Sequence, residues 1–338
     1  MNYASFAIVF MVSIQYFNTY GIKKFNRILP FIIYAWLIVG VIQYFIFPSF
    51  LHSLIPNASL FKNIDYEIIR ATGRGVLSLA TEPTYYGMHM YALLLVVLFT
   101  HPENTKEKKH YLYIILFSII FLSRSTTAIL ILMSLIVVYL FLNYSLRSAL
   151  VLIFPLFIIV MGIIGMFLNV YQLDSYRFII LLKAFIKDPI LLIQTAESVN
   201  DRLGTMLLSH MSIFYKFGLP GGYGTWENYA LGELIHKFEF INKITAADSR
   251  IHSNSGSVIY EYGIFSYLYF MTFYMSKSKR SLLDINKKLS FYGLLILIPF
   301  AIPVAYPLIP LVLGLHYSYK INHLKPQLDQ PFKTSTSK

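Results

Sequence analysis

Residues 289–319 contain no Asp, Glu, Lys or Arg, and neither do residues 28–61, 125–146 or 148–173. A soluble fold would have to cover each such run with protein on every side. A bilayer core about 30 Å thick accepts about 20 apolar helical residues with no further cover. Composition agrees: 57% of the residues are hydrophobic, 13% are charged and the mean hydropathy is +0.60. The chain therefore reads as an all-α polytopic membrane protein.

The net charge of +12 raises nucleic acid as a partner, but the placement of the cations excludes it. Lys and Arg sit in short stretches between apolar runs, as the bias of cytoplasmic loops toward basic residues requires. With no cysteine, disulfides, thiolate metal sites and iron–sulfur clusters are excluded. Residues 5–20 lack a basic leader and a small-residue cleavage site, and read as a retained span.

Spans are expected at 5–20 and 28–48, with Lys23, Lys24 and Arg27 between them in the cytoplasm. An outer loop, 49–83, holds Asp65, Glu67, Arg70, Arg74 and Glu82. A span at 84–100 leads to the basic loop 101–110. The run 111–142 is too long for one straight crossing and is interrupted by Ser123-Arg124-Ser125. A single crossing would leave the basic loop 276–288 outside, against the charge rule; two short crossings, with Arg124 near the outer surface, bring every short basic loop to one side. A span at 149–168 then leads to a large extracytoplasmic loop, 169–254. The C-terminal spans fall within 255–319: one at 256–275, then two short ones in 289–318, divided by Pro299, Pro303, Pro307 and Pro310. A basic cytoplasmic tail, 320–338, follows, polar and disordered from residue 324. The total is about nine transmembrane helices.

The large loop carries the chemistry. Ser175–Lys187 patterns as a short helix stopped before Pro189, with Lys183 and Lys187 on one face. It reads either as an interfacial helix with snorkelling lysines or as one holding lipid phosphates. A second helix aligns Arg202, Thr205, Ser209, Ser212 and Lys216 in one polar stripe beside an apolar face of Leu203, Met206, Leu207, Phe214 and Phe217. An arginine beside a row of hydroxyls suits a diphosphate and its sugar; a solvated face over a hydrophobic floor has the same pattern. Gly218–Gly224 ends that helix as a cap, or cradles phosphate without the Lys-Ser/Thr of a P-loop. His252 precedes Ser253 and Asn254, which suit an N-cap. Its imidazole is either an incidental surface group or a base for a sugar hydroxyl. Asp65 and Glu67 are too sparse for a metal site, so neither metal nor cofactor is expected.

Arg177-x-x-x-Leu181 followed by Lys187-Asp188-Pro189, then His252-Ser253 with Gly263 and Ser266 at fixed spacing, resembles the O-antigen polymerase and O-antigen ligase superfamily of bacterial membrane glycosyltransferases. Glu82-Pro83-Thr-Tyr-Tyr-Gly87 and Ser123-Arg124-Ser125 extend the likeness over roughly residues 70–270. It departs where Ile190-Leu-Leu follows Asp188-Pro189 in place of a glycine-rich continuation, and where Ser266 ends the last motif. The resemblance implies a GT-C-like fold in the bacterial inner membrane with its site on the extracytoplasmic face. It implies a polymerase joining undecaprenyl-diphosphate-linked oligosaccharide repeat units without a metal; a ligase passing glycan to lipid A core and a lipid flippase are the alternatives. Arg177 and Arg202 would hold the diphosphate, and His252 would deprotonate the acceptor. Arg70, Arg74, Glu82, Arg124, Lys183, Ser209 and Lys216 would line the substrate. Partners would be the lipid-linked donor and acceptor, membrane lipid, a chain-length regulator and a flippase.

Overall fold

The computed structural model describes residues 2–50, 75–103, 105–144, 184, 187–188, 197–230, 232, 251, 253–277, 284–299 and 306–328. Every regular element among them is helical. The helices are α1 (Asn2–Phe45), α2 (Pro83–Thr100), α3 (Lys106–Phe117, prolonged by a π-helical turn, Ser118–Ser123), α4 (Thr126–Asn143) and α5 (Glu197–Tyr215). They continue as α6 (Trp226–Tyr229), α7 (Asn254–Tyr262, followed by a 3-10 turn, Gly263–Ser266), α8 (Tyr267–Ser276), α9 (Ile285–Leu297) and α10 (Leu308–Leu328). Two helical stretches, Tyr3–Phe45 and Thr126–Asn143, are long and apolar enough to cross a membrane. Large apolar side chains such as Phe31, Ile46 and Tyr113 lie 70–76% exposed on the helix surfaces, which suits lipid better than water.

The first of those stretches is two arms. Gly21 leaves helical geometry at φ 71° and ψ 169°, and the rings of Phe17 and Phe25 meet at 5.3 Å. A straight helix would hold those residues about 12 Å apart along its axis, so the chain doubles back. The first arm runs along α10: Ser318 Oγ donates to Asn18 Oδ1 at 2.5 Å, and a Cβ on Gly314 would fall 2.6 Å from that of Ser13. The second arm runs against α2, with Asn26 Nδ2 donating to Thr100 O at 3.3 Å and Trp36 stacked on His89 at 3.9 Å. Lys23, Lys24 and Arg27 follow the reversal, where the charge pattern places them.

These pairings give the bundle two unlike ends. At one, Asn286 Nδ2 donates to Glu103 Oε1, Lys287 lies over the rings of Phe99 and Tyr319, and Lys320 Nζ donates to Met275 O. Lys106, Lys108, Lys109, Lys277 and Lys288 belong to the same end, with the residues around Gly21. At the other end Tyr3 donates to Glu261 Oε2, Arg124 bonds the Tyr44 hydroxyl, and α2 begins behind Glu82.

Asp284 caps α9 at the lysine end, accepting from Lys287 N at 2.8 Å and pairing with the Lys287 ammonium. Burial alone would raise its pKa, but the hydrogen bonds and charge of Lys287 outweigh that and hold the carboxyl below its usual range. A depressed carboxylate stabilises the fold above its unfolded pKa, and that contribution is lost as pH falls through the folded value. Asp284→Ala is expected to cost about 1 kcal/mol at neutral pH and nothing once the wild-type carboxyl is protonated. Thermal unfolding of the detergent-solubilised protein at both pH values checks it.

At the opposite end Gln43 lies 2% exposed and treats Ser78 as a strand would: Ser78 N donates to its Oε1 at 2.6 Å, and its Nε2 donates to Ser78 O at 3.2 Å. Gln43→Leu strands both backbone groups in an apolar interior, at a cost of roughly 2–4 kcal/mol, readable as a lowered thermal midpoint.

Of three expectations about the helices of the spans, one holds and two change. The interrupted run 111–142 does divide: Arg124 sits at φ 47°, Ser125 caps α4 by accepting from Ala128 N, and the π turn leaves Leu122 O to accept from Val76 N at 2.8 Å. Residues 256–275, expected as one span, are instead α7 and α8 joined at Gly263, whose φ 55° and ψ −130° stop a helix. The last helix does not stop before the tail. It continues through Leu328, with Tyr319 packed on His323 at 4.0 Å and Lys320 bonded to α8. Pro310 is tolerated because it falls in the first turn, where no intrahelical bond is lost.

Candidate functional site

The described part of the large loop is built on α5 and α7, packed side by side. Thr205, Ser209 and Ser212 are all at most 1% exposed, while Leu207, Phe214 and Phe217 are 43%, 77% and 93% exposed. This reverses both readings of the stripe, since neither a solvated nor a sugar-facing row of hydroxyls is buried. Small residues at a contact between two helices let the backbones approach closely. Ser209 Oγ donates to Met206 O at 2.9 Å and Ser212 Oγ to Ser209 O at 2.6 Å; the hydroxyls satisfy themselves on their own helix. Facing them is Gly256, where a Cβ would fall 2.1 Å from Ser209 Oγ.

The glycine run does not supply the cap residue. Phe217 ends α5: it takes φ 52° and donates to Phe214 O, and Gly218 N donates to Ile213 O at 2.7 Å, a Schellman closure. The glycines beyond it pack on the end of α7. Gly221 N donates to Tyr260 O at 2.7 Å, and a Cβ there would enter the Tyr260 ring at 2.4 Å. Lys216 is drawn over the rings of Tyr229 and Tyr260, at 4.5 and 5.8 Å, in a small apolar cluster with Trp226 and Leu208. Phe217 holds a backbone shape that costs a side-chain-bearing residue about 1 kcal/mol or more while its ring touches little. Phe217→Gly is accordingly expected to raise stability by about 1 kcal/mol, measured by thermal unfolding in detergent.

Ser253 caps α7 as the sequence pattern requires, accepting from Gly256 N at 3.0 Å. That first turn is not at an open mouth. Ser253, Asn254 and Ser255 are at most 5% exposed; Tyr269 donates to Asn254 Oδ1 at 2.5 Å, and Ser255 N donates to Ile298 O at 3.1 Å. The helix begins inside the bundle and runs outward to Glu261.

Of the other candidates, Glu82 and Arg124 share the end opposite the lysines. Glu82 is the N-cap residue of α2, without a side-chain cap bond. Arg124 lies with its guanidinium carbon 5.1 Å from the Tyr44 ring centre, bonded to that residue's hydroxyl. Arg70, Arg74, Arg177, Lys183 and His252, with Asp65 and Glu67, lie outside the described residues, as does the side chain of Arg202 on the first turns of α5.

One pair has no counterpart in the sequence reading. His210, on α5, places Nδ1 2.6 Å from Met206 O and Nε2 2.7 Å from Ser255 Oγ on α7. Nothing in the local pattern singles it out, because its partner is 45 residues away; only its position next to Ser209 on a buried face was available as a signal. No known family model, curated protein or solved structure matches the chain.

Proposed function

We propose that this chain is a multi-pass glycosyltransferase of the bacterial inner membrane that joins undecaprenyl-diphosphate-linked oligosaccharide repeat units into a surface polysaccharide. The observation carrying it is the division of the bundle: lysines gather at one end, whereas Glu82, Arg124 and the helix that follows His252 belong to the other. With the lysine end in the cytoplasm, Glu82 and Arg124 of the resembling motifs fall on the extracytoplasmic side, where a lipid-linked glycan is presented. The remaining spans of a nine-helix, GT-C-like arrangement belong to the same proposal.

The chemistry asks little of the protein beyond charge and a base. An acceptor hydroxyl attacks the anomeric carbon of the donor, the bond to the diphosphate breaks, and its electron pair leaves with the phosphate. Arg177 and Arg202 stabilise that charge, and His252 takes the acceptor proton. Permanently charged arginines do here what a metal does elsewhere. The ladder of repeat units on surface polysaccharide tests this in a deletion strain complemented at matched expression. Wild type restores the ladder, whereas Arg177→Ala, Arg202→Ala and His252→Ala each leave a single repeat unit, with rates lowered about 100-fold or more for the histidine. Free lipid-linked polymer accumulating in the deletion strain indicates a ligase instead, and full ladders from all three variants overturn the assignment.

A further inference from the structure

Independently of the reaction proposed above, we propose that a groove between α5 and α8 holds one acyl chain of an anionic phospholipid whose phosphate meets Lys216. The groove has a volume of about 500 Å³ and is lined almost wholly by apolar atoms. Phe270, Met271 and Tyr274 line it from α8; Ile213 of α5, Ile259 of α7 and Ile264 of the 3-10 turn supply the rest. It is open at the surface, with Ile264, Met271 and Tyr274 63%, 45% and 75% exposed. Its dimensions choose the occupant. Ten residues separate Ile264 from Tyr274, about 15 Å at helical rise, and a packed helix about 10 Å across would need more than about 1,000 Å³ over that length. The groove offers half of that. Hydrocarbon carbons pack at about 4 Å, and at about 30 Å³ for each water-sized group the groove takes about 16 of them. An acyl chain of a membrane phospholipid has that size, whereas an undecaprenyl chain is several-fold larger.

In a bilayer the lining gains little by holding one chain over another, because lipid tails are as apolar as the lining itself. Selection therefore falls to the headgroup. α5 and α7 run the same way, since Gly256 lies against Ser209 and Gly263 against Gly218, so Lys216 stands one turn beyond Ile213 toward the end opposite the lysines. Its ammonium rests over the Tyr229 and Tyr260 rings, and among the described residues no hydrogen bond or ion pair reaches it. Glu261, the one carboxylate of α7, is already bonded by Tyr3. A phosphate in the headgroup layer accepts from Lys216 while its chain follows α8 toward the other end, where Lys320 bonds Met275 O. The lipid thereby joins α5 to α8, which the groove keeps apart.

The test uses the full chain in detergent with Tyr274→Trp as a reporter, read against the parent chain's own Trp36 and Trp226. The quenchers are phosphatidylglycerol and phosphatidylcholine carrying the same brominated acyl chain. Phosphatidylglycerol is expected to quench the added fluorescence saturably, at about one lipid per chain, and to bind about fivefold more tightly than phosphatidylcholine. Lys216→Gln is expected to remove that preference, and Met271→Glu, a charge at an exposed position of the lining, to remove saturable quenching. Quenching that never saturates, or is unchanged in Met271→Glu, overturns the site. Equal affinities for the two headgroups overturn Lys216 as the anchor. Displacement by undecaprenyl phosphate in preference to unlabelled phosphatidylglycerol assigns the groove to the substrate chain, and a doubled mass without bound lipid assigns it to a second copy; either overturns the phospholipid. No readout depends on polymer formation, so the polymerase is tested separately.

Discussion

Gly263→Ala is expected to destabilise the protein by about 3 kcal/mol or more, enough to lose monodisperse protein on solubilisation. Two effects coincide there. The residue holds φ 55° and ψ −130°, a region that costs a non-glycine residue roughly 1–3 kcal/mol. A Cβ would also stand 2.2 Å from Gly218 O and 2.7 Å from the Leu219 carbonyl carbon. Both neighbours are backbone, so no rotamer relieves the clash, and overpacking adds about 1–3 kcal/mol. The displaced segment is the same one that closes on α7 through Ile264 N and Gly218 O at 2.8 Å. Gly224→Ala is the control: its φ is 77° with nothing within 4 Å of a Cβ, so it should show backbone strain alone, about 1 kcal/mol. Equal losses from the two would mean that close packing at Gly263 contributes nothing.

Gly256→Ala is expected to cost about 1–3 kcal/mol and, more tellingly, to be rescued from across the interface. Its Cβ would lie 2.1 Å from Ser209 Oγ, 3.0 Å from Ser209 Cβ and 3.1 Å from Ser253 Cβ. Ser209 Oγ can swing aside, but the contacts with the two Cβ atoms require the helices to give by a few tenths of an ångström. Ser209→Gly removes the obstructing side chain at a helix-propensity cost of about 1 kcal/mol. The double variant should therefore be more stable than Gly256→Ala alone, with a favourable coupling in the double-mutant cycle. Simple additivity would show that α5 and α7 do not meet at these residues. Larger residues at 256, such as leucine, are expected to defeat the rescue.

What could be read without the structure follows from interactions local in the chain. The helix breaks between residues 20 and 28 and around Arg124, the cap at Ser253 and the clustering of lysines depend on dihedral preferences, short-range hydrogen bonds and loop charge, all of which act within a few residues. Arg177 and His252 were legible as motif members in the same way and Arg202 as the first member of a polar stripe, and their proposed roles rest on those patterns and on the charged ends of the bundle.

Composition and local pattern establish that this chain is helical and apolar enough for a membrane, and where its basic turns fall. Which way α5 faces is set by its contacts with the rest of the fold, because the period of its stripe is the same whether hydroxyls meet water or a neighbouring backbone, and the partner Gly256 distinguishes them. The tertiary structure also decided that α7 and α8 are two helices, since Gly263 becomes obligatory only when the Gly218 carbonyl lies against it. The same holds for His210, which acquires a chemical setting from a serine 45 residues away. Contacts between segments far apart in the chain are set by packing, and no periodicity within one segment encodes them.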